Sequence, residues 1–120
     1  AAVEEPAAAA PAVEALEEVE QDYTVEVDEE LYELVPLFMD TMRSNIVEMK
    51  DALPEQNFDV ICRHGHSQKG LGSTYGCDYL GLLGQRIETA GRQRNVEEIK
   101  ILLDEMSAYL EKVQIVERKG

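Results

Sequence analysis

Cysteine is nearly absent from this chain of 120 residues, which carries only Cys62 and Cys77. Two thiols in a strongly acidic chain without a secretory signal read as reduced cysteines of a cytoplasmic protein, not as a disulfide framework. No apolar run approaches the roughly 20 residues needed to cross a bilayer, which argues against membrane insertion. The alanine-rich start lacks both the basic flank and the apolar stretch of a signal peptide. Also missing is any stripe of Lys and Arg, the side chains that displace phosphate counterions, and this sets nucleic-acid binding aside. An initiating Met is lacking too, so the chain reads as a piece of a longer protein.

What is present is an uneven distribution of charge. The net charge is −14, yet residues 1–33 hold 12 of the 25 acidic side chains and none of the 11 basic ones. The remaining 87 residues therefore carry 13 acidic and 11 basic groups, only −2. Residues 1–26 read as an acidic Ala/Glu/Pro-rich linker, with Pro6 and Pro11 interrupting any helix. One-signed charge and few aromatics cannot bury enough surface to offset chain ordering. The one local pattern there is a short amphipathic stretch around Val13–Val19.

Residues 27–120 read as a single domain with helical periodicity. Asp28 is placed to cap a short helix over 28–34, with Glu29 and Glu30 in its first turn. Pro36 separates it from a longer helix whose stripe Phe38, Met42, Ile46, Met49 and Leu53 faces a core, and Pro54 ends that helix. Asn57 caps a third helix to about Leu71, followed by a bend containing Gly70, Gly72 and Gly76. Asp78 caps a fourth, with Leu80, Leu82, Leu83 and Ile87 inward. Asn95 caps a fifth, with Ile99, Leu102, Leu103, Met106, Leu110 and Val113 on its apolar face. Tyr23–Val27 comes nearest to a strand but alternates too briefly. The expected fold is all-α: an antiparallel up-down four-helix bundle with a short extra N-terminal helix.

The chemistry concentrates in one helix. Residues three and four apart share a helical face, so Asp59, Arg63, His66 and Gly70 form a wet row with Lys69 beside it. Phe58, Ile61, Cys62 and Gly65 form the inward row. An exposed imidazole can attack phosphorus without a metal, and a neighbouring cation offsets phosphoryl charge. Gly70, one turn beyond His66, leaves room for another protein to approach. The set Cys62, His64, His66 and Cys77 matches no usual zinc spacing, so no metal site is assigned.

The run His66-Ser67-Gln68-Lys69-Gly70-Leu71-Gly72-Ser73-Thr74-Tyr75-Gly76 resembles the signature of histidine-containing phosphotransfer (HPt) domains of bacterial multistep phosphorelays. Lys69, Gly70 and Gly76 stand at +3, +4 and +10 from His66, and Leu80, Gly84 and Glu88 fall where the family's next helix has its leucine, small and acidic residues. The resemblance covers about Val27 to Val116. It implies that His66 accepts a phosphoryl group from a receiver-domain aspartate and passes it to another receiver, with Lys69 stabilising that group; Arg63, on the same wet row, is the second phosphoryl-stabilising candidate. The chain would then be a carrier without kinase activity or cofactor of its own, the receiver supplying the acidic pocket and Mg²⁺. Partners so implied are response-regulator receivers, with a hybrid histidine kinase in the same polypeptide as a further candidate. Leu31, Leu34 and Leu37 are the apolar candidates for receiver docking.

Two residues depart from the family pattern. His64 and Gln68, at −2 and +2 from His66, replace the usual aliphatic residues. Being four apart, they are expected to form a hydrogen-bonded polar pair at the core's edge. His64 has Ser67, not Lys, at +3, which argues against its being the phosphorylated residue. Two other functions share the bundle: a docking domain that binds a receiver without accepting phosphate, and the substrate domain of a chemotaxis-type histidine kinase.

Overall fold

The computed structural model describes residues 23–118. The linker expected over 1–22 and the amphipathic stretch at Val13–Val19 lie outside the described residues. Within them the chain is mostly helical, in the order β1 (Thr24–Val27), α1 (Glu29–Tyr32), α2 (Val35–Ala52), α3 (Phe58–Thr74), α4 (Asp78–Arg92), α5 (Val96–Lys112) and β2 (Gln114–Glu117). Each of the four long helices packs against two others, in the closed order α2–α3–α4–α5–α2. The predicted stripes supply the interior: Phe38, Met42, Ile46, Met49 and Leu53 on α2 and its cap, Leu80, Leu83 and Ile87 on α4, and Ile99, Leu102, Leu103, Met106 and Leu110 on α5 are all buried. Leu82 and Val113 are only partly buried. No helix among the described residues is long and apolar enough to cross a membrane.

Several local expectations need correction. Residues 24–27 are a strand, not linker, so the boundary expected between residues 26 and 27 falls inside β1. β1 pairs in parallel with β2, Thr24 opposite Gln114 and Val27 opposite Glu117. Four residues of Thr-Val-Glu-Val are too few to declare a strand alone; the partner that stabilises them lies at the other end of the domain. Arg118 fastens the pair, its backbone N–H donating to the Val27 carbonyl at 2.7 Å and its guanidinium to Asp28 Oδ1 at 3.1 Å. Asp28 therefore spends its carboxylate on Arg118 and makes no capping bond to α1. Cys77, not Asp78, is the cap of α4, and Asp78 is the first helical residue. Asn57 and Asn95 stand at the N-caps of α3 and α5 as expected, but only Asn95 makes the side-chain bond, accepting from the Glu98 N–H at 3.2 Å.

The expected glycine bend also resolves differently. α3 runs through Gly70 and Gly72 to Thr74, and only Gly76 lies in the turn. There its φ of +73° suits a residue without Cβ. The Gly76 N–H bonds the Ser73 carbonyl at 3.1 Å and the Cys77 N–H bonds the Gly72 carbonyl at 2.7 Å, a paired helix stop. Gln56 and Arg94 hold the corresponding positive-φ positions after α2 and α4. Tyr75 packs at this end, stacked on Phe38 with ring centroids 4.3 Å apart.

α3 and α4 make the most extensive helix–helix contact among the described residues. Its cause is a seam of glycines. A Cβ on Gly72 would stand 2.5 Å from the Gly81 nitrogen; one on Gly84 would stand 2.8 Å from the Gly65 carbonyl oxygen and the Lys69 nitrogen. A Cβ on Gly65 would stand 2.8 Å from the Glu88 nitrogen. Backbone lies against backbone, with no flexible side chain to yield. Gly70 differs, since a Cβ there meets nothing within 4 Å among the described residues. Gly72→Ala is accordingly expected to destabilise by about 2–3 kcal/mol or more through overpacking. Gly70→Ala should stabilise by up to about 1 kcal/mol through helix propensity. Chemical denaturation of both variants measures the difference.

Candidate functional site

α3 presents its chemistry outward because its inner face is taken by Ile61, Gly65, Gln68 and Gly72, all buried. His66 follows Gly65 and is turned away from the core, its side chain 73% exposed. The α3–α4 seam nevertheless brings α4 under it. Nδ1 of His66 lies 3.3 Å from Oε2 of Glu88, whose side chain is only 11% exposed. The same oxygen accepts from the Arg92 guanidinium at 2.6 Å. A proton on Nδ1 thus faces a carboxylate, and the free lone pair of the neutral ring belongs to Nε2.

Arg63 and Lys69 are both exposed on α3. Neither forms an ion pair with any described residue, so both cations are available to an incoming anion. Gly70 is exposed beside them over open space. Gly76 lies outside this cluster and acts as the stop of α3. Leu34 and Leu37 are exposed at 46% and 63%, whereas Leu31 is partly buried against the core. Tyr32, 40% exposed, stands among Glu29, Glu30 and Glu33, so the α1 end offers apolar surface within an acidic rim.

The polar pair expected between His64 and Gln68 does not form. His64, half-buried, turns to α2 instead, with Nε2 2.7 Å from Glu48 Oε1. The two line a surface hollow of about 340 Å³ with Val60, Arg63 and Ser67. Gln68 is fully buried, and neither its Oε1 nor its Nε2 has a hydrogen-bond partner among the described residues. Helical spacing placed the two residues on one flank, but His64 lies far enough toward α2 to find a charged acceptor, which a neutral amide cannot match.

Glu88 and Arg92 are the residues that the sequence argument left outside the site, although Glu88 had been matched to the family's acidic position. The signal was legible: Glu88 falls on the inward face of α4 with Leu80, Gly84 and Ile87, and an acid on an apolar face requires a partner. The thiol of Cys62 lies in the same region and donates to the Glu88 carbonyl oxygen at 3.6 Å. Burial pushes that thiol up, Arg92 pulls it back, and Glu88 and Asp59 add to the rise. Cys77 is a core residue, its thiol raised to about 11 by burial and by Asp78. Among the described residues no group of three or more His, Cys, Asp and Glu side chains gathers to hold a metal.

A family model described as Hpt domain matches residues 33–114. No curated protein and no solved structure gives a significant match. All of β1 and all of β2 beyond Gln114 lie outside the matched span.

The amide of Gln68 makes a direct stability prediction. A buried polar group without a partner costs about 1–3 kcal/mol, so Gln68→Leu should stabilise the protein within that range. A denaturation midpoint below that of the parent protein would show that the amide is satisfied in solution.

Proposed function

The chain belongs to the Hpt domain family, and from that premise we propose that it is a phosphorelay carrier that accepts a phosphoryl group on His66 from a receiver-domain aspartate and passes it to another receiver. Hpt domains serve histidine phosphotransfer in two-component systems and are partners of response-regulator receivers. The observation that carries the assignment to His66 is its setting: an imidazole 73% exposed whose Nδ1 faces the buried Glu88 carboxylate, with Lys69 beside it in no ion pair with a described residue. In the finer fold that accompanies this reading, the four long helices form an antiparallel up-down bundle, because residues 53–57, 75–77 and 93–95 are connections long enough only to reverse direction. α1 is then the short extra helix at its N-terminal side.

In the transfer, Nε2 attacks the phosphorus of the receiver's aspartyl phosphate. The N–P bond forms as the P–O bond to the aspartate breaks, and the carboxylate leaves with the electron pair. Nδ1 keeps its proton throughout, and the positive charge then carried by the ring faces Glu88. Glu88 is in this sense a positioning residue: it selects the tautomer that leaves Nε2 nucleophilic. Lys69, with Arg63 on the neighbouring turn, offsets the charge of the phosphoryl oxygens. Gly70 admits the receiver to the imidazole. The receiver brings its own acidic pocket and Mg²⁺, so the carrier needs neither. Leu34 and Leu37, with Leu31 beneath, extend the docking face toward α1.

A phosphorylated receiver with Mg²⁺ is expected to label the protein, and His66→Gln to abolish labelling while His64→Gln retains it. Lys69→Ala should slow transfer about tenfold, the loss of one charge-assisted contact. Undiminished labelling of the His66→Gln variant would overturn the assignment. A parent protein that binds the receiver yet stays unlabelled would identify a docking bundle instead, and labelling only by a separate ATP-dependent kinase would identify a chemotaxis-type substrate domain.

A further inference from the structure

We propose that Arg92 is a positioning residue for phosphoryl transfer: by occupying Oε2 of Glu88, it sets how strongly that carboxylate holds the Nδ1–H of His66, and so how nucleophilic Nε2 is at a given pH. The proposal rests on His66 being the phosphorylated residue. Two nitrogen groups converge on one oxygen, Arg92 at 2.6 Å and His66 Nδ1 at 3.3 Å. The carboxylate they share is 11% exposed, so water neither competes effectively for it nor screens it fully. Arg92 itself is 67% exposed and held one helical turn along α4 from Glu88. A guanidinium–carboxylate contact between fully exposed partners contributes little; here the acceptor is buried and its other neighbour is the nucleophile.

The consequence is electrostatic. A carboxylate in full possession of its charge would favour the protonated imidazolium, which cannot attack phosphorus. Arg92 withdraws part of that charge and keeps the neutral ring available toward lower pH. After transfer the same balance governs the phosphoimidazole, whose Nδ1–H still faces Oε2. The other charged or titratable groups about this cluster are Arg63, Lys69 and Asp59 on α3 and the Cys62 thiol, which feels both Arg92 and Glu88. Glu48 on α2 is engaged by His64. A purely structural role is the alternative, since a cation in the last turn of α4 also complements the helix dipole. That role would alter stability without touching the imidazole.

Phosphoramidate, a small phosphoryl donor that requires no receiver, separates these possibilities in the full chain. Its P–N bond breaks as the bond to Nε2 forms, ammonia leaves, and intact mass follows the rate as a function of pH. Arg92→Met is expected to move the pH–rate profile about half a unit toward alkaline pH, roughly threefold slower labelling on the acid limb and equal rates on the alkaline limb. Arg92→Lys should restore the parent profile in large part. On a Glu88→Gln background, Arg92→Met should have no further effect, because the carboxylate through which it acts is gone. An Arg92→Met profile superimposable on the parent overturns the proposal, and so does a shift of equal size on the Glu88→Gln background. Labelling that survives His66→Gln would instead overturn the assignment of the phosphorylated residue.

Discussion

The backbone contact between α3 and α4 is the constraint on which the site depends. Gly65 and Gly84, and Gly72 and Gly81, bring the two helices to a separation that no Cβ at Gly65, Gly72 or Gly84 would tolerate. The position opposite Gly65 is Glu88, and the residue after Gly65 is His66. The approach that excludes a side chain at Gly65 is therefore the approach that sets Nδ1 of His66 at 3.3 Å from Glu88. Mid-helix glycines weaken α3 by about 1 kcal/mol each relative to alanine. The close packing they permit offsets that cost and fixes the imidazole's surroundings without any residue on the exposed side.

Around this seam the polar groups divide their work. Glu88 is buried, and its Oε2 is shared by the Arg92 guanidinium and Nδ1 of His66. Lys69 and Arg63 lie outside, exposed and in no ion pair with a described residue. Gln68 stands apart from both sets, since its amide is buried and touches neither. We have no physical account of why an amide replaces an aliphatic side chain there. His64, the other departure from the family pattern, is explained by its reach to Glu48, which ties α3 to α2 on the same side of the molecule.

Much of this was legible in the sequence because it obeys short-range rules. The five-residue stripe of α2, the apolar face of α5 and the wet row through Arg63 and His66 all follow from helical spacing. What escaped depends on distant partners. β1 could not be read from four alternating residues, because its strand character is conferred by Gln114–Glu117. The destination of His64 was misjudged for a related reason: spacing along α3 says which residues are neighbours there but not what α2 offers. Spacing along α3 puts Gly65 on the inward row and Gly72 in a bend, and gives a reason for a glycine only at Gly70. The structure reverses that emphasis, placing Gly65 and Gly72 in the seam and leaving Gly70 with no role in the fold.

The parallel pairing of β1 with β2 bears on the order in which the molecule assembles. Thr24 and Gln114 are 114 − 24 = 90 positions apart, and closing a loop of that length in an unfolded chain costs about 4 kcal/mol in entropy. Four paired residues cannot meet that cost alone. Once the four long helices have docked, however, most of the chain between the strands is already ordered and little entropy is left to lose. The strands are thus a late latch, formed on a finished helical body and first to fray from it. Amide exchange at Val25 and Ile115 would proceed by local opening, while Ile61 and Leu83 would exchange only when the whole domain unfolds.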